Sequence, residues 1–355
     1  MRNLWRRKRV LHVWILAILV LCGVAAHGQD EDTKPVPILT GSTAYFTRVS
    51  SGQTQNAPVV SPLLLAPLGD KWLIEAKGNF SDTVIKSNQT DYSGTLLYGL
   101  NYAEIDYIAN PFVTVTGGRF ITPFGIYGEG LAPDWIRALQ SAPLSRAATS
   151  GSALGGMLRG GFSADAKNKV DINYAVYFST CNTNHILATD RTTGGRISFF
   201  LPGPRVSIGA SFQQLLQGGR SHAAGLHGEW QPNSFPLTLR SEFVRTSGLK
   251  GSAYWIESVY RLSQVPHLHK LELVGRGQQF YANAKLTPAA ATLLGLPVTS
   301  TNQGDFGLNY YLRNDVRASA SFGKQFAAGG NNANIWMIGI TYRFLVPLGP
   351  KGGAL

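Results

Sequence analysis

The chain has 355 residues, of which 32 are basic and 20 acidic, a formal net charge of +12. Only 15% of it is charged, against about 25% in an ordinary soluble globular chain. Forty glycines, 11% aromatics and two cysteines exclude a disulfide scaffold and favour many short strands joined by tight turns.

The N-terminus reads as an export signal. Arg2, Arg6, Arg7, Lys8 and Arg9 form a basic opening, residues 10–26 are almost wholly apolar, and Ala26-His27-Gly28 puts small residues three and one before Gln29. This three-part pattern predicts a cleaved signal peptide over residues 1–28. The apolar run falls slightly short of the ~20 residues of a membrane-spanning helix. Cys22 follows Leu21, where a lipoprotein signal needs a small residue. Removing residues 1–28 takes away five basic and no acidic residues and leaves +7. Part of the basic character is therefore an export feature, and no nucleic-acid partner is implied. The remainder keeps one cysteine, Cys181. Residues 29–40 read as a disordered leader, too short to form a plug.

From residue 41 to 346 the sequence alternates with a period of two. Trp336, Ile338, Ile340, Tyr342 and Phe344 oppose Met337, Gly339, Thr341 and Arg343. Phe306, Leu308, Tyr310 and Leu312 oppose Gly307, Asn309, Tyr311 and Arg313. The same holds for Ile172, Tyr174, Val176 and Phe178 against Asp171, Asn173, Ala175, Tyr177 and Ser179, and for Val206, Ile208, Ala210 and Phe212 against Arg205, Ser207, Gly209 and Ser211. A soluble β-sandwich or β-helix also alternates, but strands of 10–13 residues exceed the ~5–6 usual in globular sheets. With no second apolar run long enough for a helix, a membrane protein here must be a closed barrel. The expected fold is therefore all-β, a transmembrane antiparallel β-barrel with apolar residues outside and polar ones inside.

Turn signals set the strand count. Short connections fall at 68–70, 110–111, 166–169, 202–204, 231–234, 264–266 and 313–314. Longer ones fall at 50–56, 81–92, 123–151, 180–192, 217–220, 248–250, 281–301 and 327–333. The two sets interleave, as periplasmic turns and outer loops do in such barrels. They predict sixteen strands with both termini periplasmic. Fourteen is the alternative if residues 57–66, which contain Pro58 and Pro62, fail as a strand. Residues 347–355 form a tail.

The longest connection, 123–151, carries apolar Trp135, Ile136 and Leu139 after Pro133 and Asp134, which can start a helical turn. It is expected to fold into the lumen, with Glu129, Asp134, Trp135, Arg137 and Arg146 at a constriction; packing on a neighbouring protomer is the alternative. Immediately before it, Gly118-Arg119-Phe120-Ile121-Thr122-Pro123-Phe124-Gly125 resembles the Gly-x-Phe-x-x-Pro-Phe segment of porins similar to the phosphate-selective porins O and P. That resemblance implies a sixteen-stranded trimeric barrel in the bacterial outer membrane. Porins of that kind select anions with lysines, whereas this chain places Arg119 in the motif. Phe344 resembles the last aromatic of an assembly signal read by the barrel-insertion machinery, here followed by residues 345–355.

Strand parity assigns the lumen. Arg159, Arg196, Arg205, Arg240, Arg261, Arg276, Arg313 and Arg317 read as inward, with Arg119, Lys77, Lys270 and Arg343. Glu242 and Glu257 read as inward too, with Glu75, Glu104, Asp106, Asp171 and Glu272. Arginine or lysine facing lipid near the midplane costs ~2–4 kcal/mol, which forces such residues to the wet side. The excess of bases predicts a weak anion preference. Glu242 with Arg240, and Glu257 with Arg261, read as bracing pairs.

No Gly-x-Ser-x-Gly elbow marks an enzyme. His267 and His269 share a face at a turn, and Glu104 and Asp106 share a strand face; both read as ordinary wall or turn positions, and no metal or cofactor is expected. The expected function is passive diffusion of small hydrophilic solutes. A selective sugar or phosphate channel using Trp255, Tyr177 and Tyr311, or a sealed structural or adhesive barrel, is the alternative.

Overall fold

A computed structural model describes residues 36–349 except 88–91, 147–150, 165–168, 183–190, 218–220, 248–250, 284–286, 290–295 and 331. The expected signal peptide, most of the expected leader and the last residues of the expected tail lie outside the described residues.

Sixteen strands account for most of the described chain: β1 (Ile38–Ser50), β2 (Gln53–Leu68), β3 (Trp72–Ser87), β4 (Ser93–Asn110), β5 (Val113–Ile121), β6 (Ser152–Ser163), β7 (Asp171–Asn182), β8 (Thr192–Leu201), β9 (Val206–Leu215), β10 (His222–Trp230), β11 (Leu237–Thr246), β12 (Ser252–Arg261), β13 (Leu271–Tyr281), β14 (Thr301–Arg313), β15 (Val316–Ala327) and β16 (Ala333–Pro347). Each pairs antiparallel with its sequence neighbours, and β1 closes on β16 from Ile38 opposite Pro347 to Ser50 opposite Ile335. The sheet is a closed barrel with no free edge, so every strand finds ladder partners on both sides.

The alternation explains which way the wall faces. Along β14, Thr301, Gln303, Asp305, Gly307 and Asn309 are buried, and Asn302, Gly304, Phe306, Leu308 and Tyr310 between them are exposed. On β16 the exposed set is Trp336, Ile338, Ile340 and Tyr342, and Thr341 on the other face is buried. On these two strands most large apolar side chains point away from the interior, and the inward positions are largely polar or small. That inverts the arrangement of a soluble domain and suits a wall between lipid and water.

The prolines of β2 are accommodated on one side only. Its ladder with β1 is continuous, whereas its ladder with β3 skips Ala57-Pro58 and Ser61-Pro62 without shifting register. Proline has no N–H to donate, so the lost bonds fall on the β3 side. Gly41 lies opposite Pro62 at φ +148°, and a Cβ there would meet the Ser61 carbonyl oxygen at 2.2 Å. The strand survives, and the count is sixteen rather than fourteen.

Two of the longer connections are much shorter than expected. Residues 50–56 are no longer loop: Ser51 and Gly52, at φ 49° and 73°, make a two-residue turn between β1 and β2. Positive φ at both positions matches the right-handed strand twist. Residues 81–87 of the expected loop are strand, because the β-branched run Thr83, Val84 and Ile85 continues the ladder to Thr95, Gly94 and Ser93.

Candidate pore and its lining

Residues 123–146, between β5 and β6, lie inside the barrel, and their contacts trace their course. The Gly125 N–H donates to Ser211 Oγ of β9 at 2.9 Å, and Arg196 of β8 donates back to the Gly125 carbonyl at 2.9 Å. Both the Ile126 and Tyr127 N–H groups donate to Glu242 Oε2 of β11, at 2.9 and 3.3 Å. Glu129 pairs with Arg196 at 2.6 Å. Tyr127 and Leu131 then pack on Trp255 of β12. Across the lumen, Asp134 accepts from Ser61 of β2 at 3.2 Å and pairs with Arg137, whose guanidinium lies over the Phe46 ring of β1. The chain returns past β13–β15: Asn309 donates to the Ala138 carbonyl, Ser321 to Gln140, Arg276 to Ser141, and the Leu144 N–H to Gln278. All of these wall residues lie on the inward parity of their strands.

The local conformation differs in detail from the sequence reading. A π-type helical turn spans Tyr127–Leu131, ahead of the expected start at Pro133. A second turn is closed by the Ile136 and Arg137 N–H groups on the Pro133 carbonyl, each at 3.0 Å. It aims Trp135 at the wall, where Arg317 and Arg343 lie over its ring at 5.5 and 5.1 Å and Tyr311 meets it edge-on. Leu139 packs on Val274. Ile136, expected on the same apolar side, is exposed. Arg146 is also exposed, at the far end of the segment, with its N–H bonded to the Pro143 carbonyl.

Most inward residues fall where parity puts them, but their partners differ. Arg240 pairs with Glu229 at 3.0 Å and Glu257 at 3.6 Å, not with Glu242. Glu257 pairs with Arg240 and Arg276, not with Arg261. Arg276 is almost fully buried and also reaches Asp305 at 3.4 Å. Arg159 bridges Asp106 and Glu104, whose carboxylates lie with that of Glu75 within 4.8 Å of one another. Thr116 donates to the same Asp106 at 2.5 Å. Glu129, Glu229 and Asp305 were missed as partners; inward parity on β10 and β14 was the signal available for the last two.

Five expected lining residues are placed elsewhere. Arg119 shares a face with Ala103 and the exposed Leu154, and its Nε donates to Ser152 Oγ at 3.0 Å. It lies on the outward parity of β5, because Thr116 and Phe120 take the inward positions. Arg205 lies in the turn before β9 at φ 52° and reaches Gln231 Oε1 at 2.9 Å. Arg313 ends β14 at the rim, its side chain 75% exposed and paired with Asp315. Lys270 precedes β13 in a turn, with its ammonium near the Leu312 carbonyl. Asp171 likewise opens β7 at the rim, accepting from Ser163.

Among the described residues, Lys77 of β3 and Arg48 of β1 are inward and make no ion pair, and the same holds of three arginines, Arg261, Arg317 and Arg343. Arg317 is held by the Asp134 and Trp135 carbonyls at 2.8 and 3.0 Å, and Arg261 lies over the Tyr311 ring at 4.9 Å. The three line one side of the lumen, β12–β16. The acidic cluster of Glu75, Glu104 and Asp106 lies on β3 and β4. Of the three aromatics considered for solute stacking, Trp255 is covered by Tyr127, and Tyr177 is buried against Phe120. Tyr311 is partly accessible.

No protein-family model matches the chain, and no curated protein matches it in sequence. Solved structures match in fold. Salmonella typhi OmpF in complex with daunomycin superposes with a TM-score of 0.58 at 10% identity, covering 87% of this chain and 97% of that one. OmpT, an outer membrane protein of Vibrio cholerae, gives 0.53 at 9% identity over 89% and 100%. A variant of the Rh. blastica porin gives 0.50 at 11% identity over 86% and 100%. The chain has the fold of outer-membrane porins. Sixteen antiparallel strands closed in sequence order, with apolar side chains outward, are the architecture of a bacterial outer-membrane barrel.

Proposed function

We propose that the chain is an outer-membrane porin through which small hydrophilic solutes diffuse passively, with a weak preference for anions. The observation that carries this reading is the state of the inward charges. Arg159 and Arg196 keep 33% and 25% of their side-chain surface accessible although both face the interior and are ion-paired. Water therefore reaches the wall beside the inner segment, as expected for a barrel of this strand number. In this reading residues 123–146 narrow the lumen, and Glu129, Asp134, Trp135 and Arg137 stand at the narrowing.

Arg119 faces outward, so the segment that resembles phosphate-selective porins does not bring its arginine to the solute. Anion preference falls instead to Arg261, Arg317 and Arg343, whose charge no carboxylate cancels. Assembly as a homotrimer is part of the same reading and is checked by the mass of the native complex. The reading assigns no catalysis and no cofactor.

The test is the conductance and reversal potential of the refolded protein in a planar bilayer under a KCl gradient. Stable open steps with an anion-directed potential are expected, and deleting residues 128–142 should enlarge the steps. Protein shown to be folded but without conductance would overturn the porin reading in favour of a sealed structural barrel.

A further inference from the structure

Below the inner segment, at the end of the barrel that carries the short turns, the wall contains a cavity of about 420 Å³. It opens between the β10–β11 and β12–β13 turns, and its lining includes Arg205, Gln231, Asn233, Phe235, Arg261 and Glu272. The volume lies in the range of small-molecule sites. We propose that this cavity holds small organic anions, each with a carboxylate or phosphate group on a compact apolar body, as they cross the short-turn end of the pore. The proposal rests on the porin reading for its role in transport, but not for binding itself.

Three observations carry it. First, both cations in the cavity are available. Arg261 is exposed and makes no ion pair, although Glu272 stands opposite it in the ladder. That carboxylate already accepts from Asn309 Nδ2 at 2.8 Å and Tyr311 OH at 3.4 Å and is nearly fully buried. Glu229, the other nearby carboxylate, is held by Arg240 and by Gln231. Second, Arg205 occupies the left-handed region at φ 52°, a conformation that side chains larger than glycine or asparagine adopt at a cost. An arginine in that conformation in a cavity wall fits a requirement for its side chain, which is positioned by Gln231 Oε1 at 2.9 Å. Third, Phe235 offers an exposed ring at the same opening. A forked guanidinium recognises planar oxyanions through paired, charge-assisted hydrogen bonds, and the ring supplies an apolar surface for the rest of the molecule.

The experiment titrates folded protein in detergent micelles at low salt with benzoate, succinate, inorganic phosphate and glucose, following heat by calorimetry. In parallel, the same compounds are added to one side of a bilayer holding the channel. Benzoate should bind most tightly, glucose should not bind, and Arg261→Gln should weaken binding about tenfold or more, as loss of a charged hydrogen bond predicts. Arg205→Gln, an exposed turn position that should not impair folding, should also weaken it. Phe235→Ala should weaken benzoate more than succinate, and Arg313→Gln, at the rim, should change neither. Unchanged affinity in the Arg205→Gln and Arg261→Gln double variant, or no anion binding by folded wild type, would overturn the proposal. Binding of phosphate without either carboxylate would overturn its organic-anion class. Intact binding without conductance would overturn the porin reading and leave the site standing.

Discussion

At the scale of single residues, the inner segment depends on a latch at Gly125 and Glu242. Gly125 holds φ +62°, and a Cβ there would lie 2.1 Å from Glu242 Oε2. Glycine is thus required twice, by the backbone and by the approach of the carboxylate. Glu242 in turn satisfies two successive backbone N–H groups of a segment that has no strand partner. Glu242→Ala should strip both of an acceptor, at about 1–3 kcal/mol for buried donors left unpaired. Gly125→Ala should push the same contact apart. In both variants, protease added to the folded protein should cut between residues 126 and 141 faster than in wild type, and single-channel current should become noisier. Cleavage at the wild-type rate would argue against the latch. The sequence made Gly125 visible only as part of a motif, and it assigned Glu242 to Arg240. The true partner lies far away in the chain and on a segment with no periodicity to place it.

At the scale of elements, alternation was enough to orient most strands, because the two faces of a strand are set locally, residue by residue. Ile338, outward and exposed, and Met337, on the inward parity, are neighbours with opposite environments. Ile338→Arg should therefore destabilise the barrel by ~2–4 kcal/mol, and Met337→Arg should be tolerated, as read by denaturant unfolding in micelles. Equal destabilisation would contradict the assigned faces. Alternation failed where strands meet turns. Arg205, Arg313 and Lys270 share a numerical parity with the lumen, but a turn interrupts the pleat and parity loses its meaning beyond it. It failed also on β5, where the small residues Gly117 and Gly118 gave no polar contrast and Arg119 was assigned to the wrong face. The tight Ser51-Gly52 turn offers one more check. Gly52→Val places a β-branched side chain at φ 73°, and should cost about 1–2 kcal/mol in the same unfolding assay.

At the scale of the whole molecule, the lumen sorts its charge by partner. Arginines on β6, β8, β11 and β13 are matched by carboxylates, while Arg261, Arg317 and Arg343 are held by aromatic rings and carbonyls instead. Net basicity counted from the sequence overstates the field that a passing ion meets, since paired charges largely cancel. The proposed anion preference should accordingly be modest and fade with salt. The screening length falls from about 30 Å at 0.01 M to about 3 Å at 1 M, so the reversal potential per unit of gradient should shrink over that range. A preference that persists undiminished at 1 M would place the selecting charges in close, desolvated contact with the ion.

The sequence by itself determined the class of the fold, the number of strands and the face of most charged residues. Each of these rests on local rules: a period of two, turn chemistry, and the cost of a charge in lipid. It also marked residues 123–146 as too apolar to stand in water. Only the tertiary structure decided which arginine meets which carboxylate, because Arg240 and Arg276 meet cross-strand neighbours set by register, Arg159 reaches past β5 to β4, and Arg196 meets Glu129 of the inner segment. It alone decided the path of the inner segment, whose hydrogen bonds run to strands on opposite sides of the barrel. That path depends on the shape of the enclosed space, and the space exists only once β1 has closed on β16.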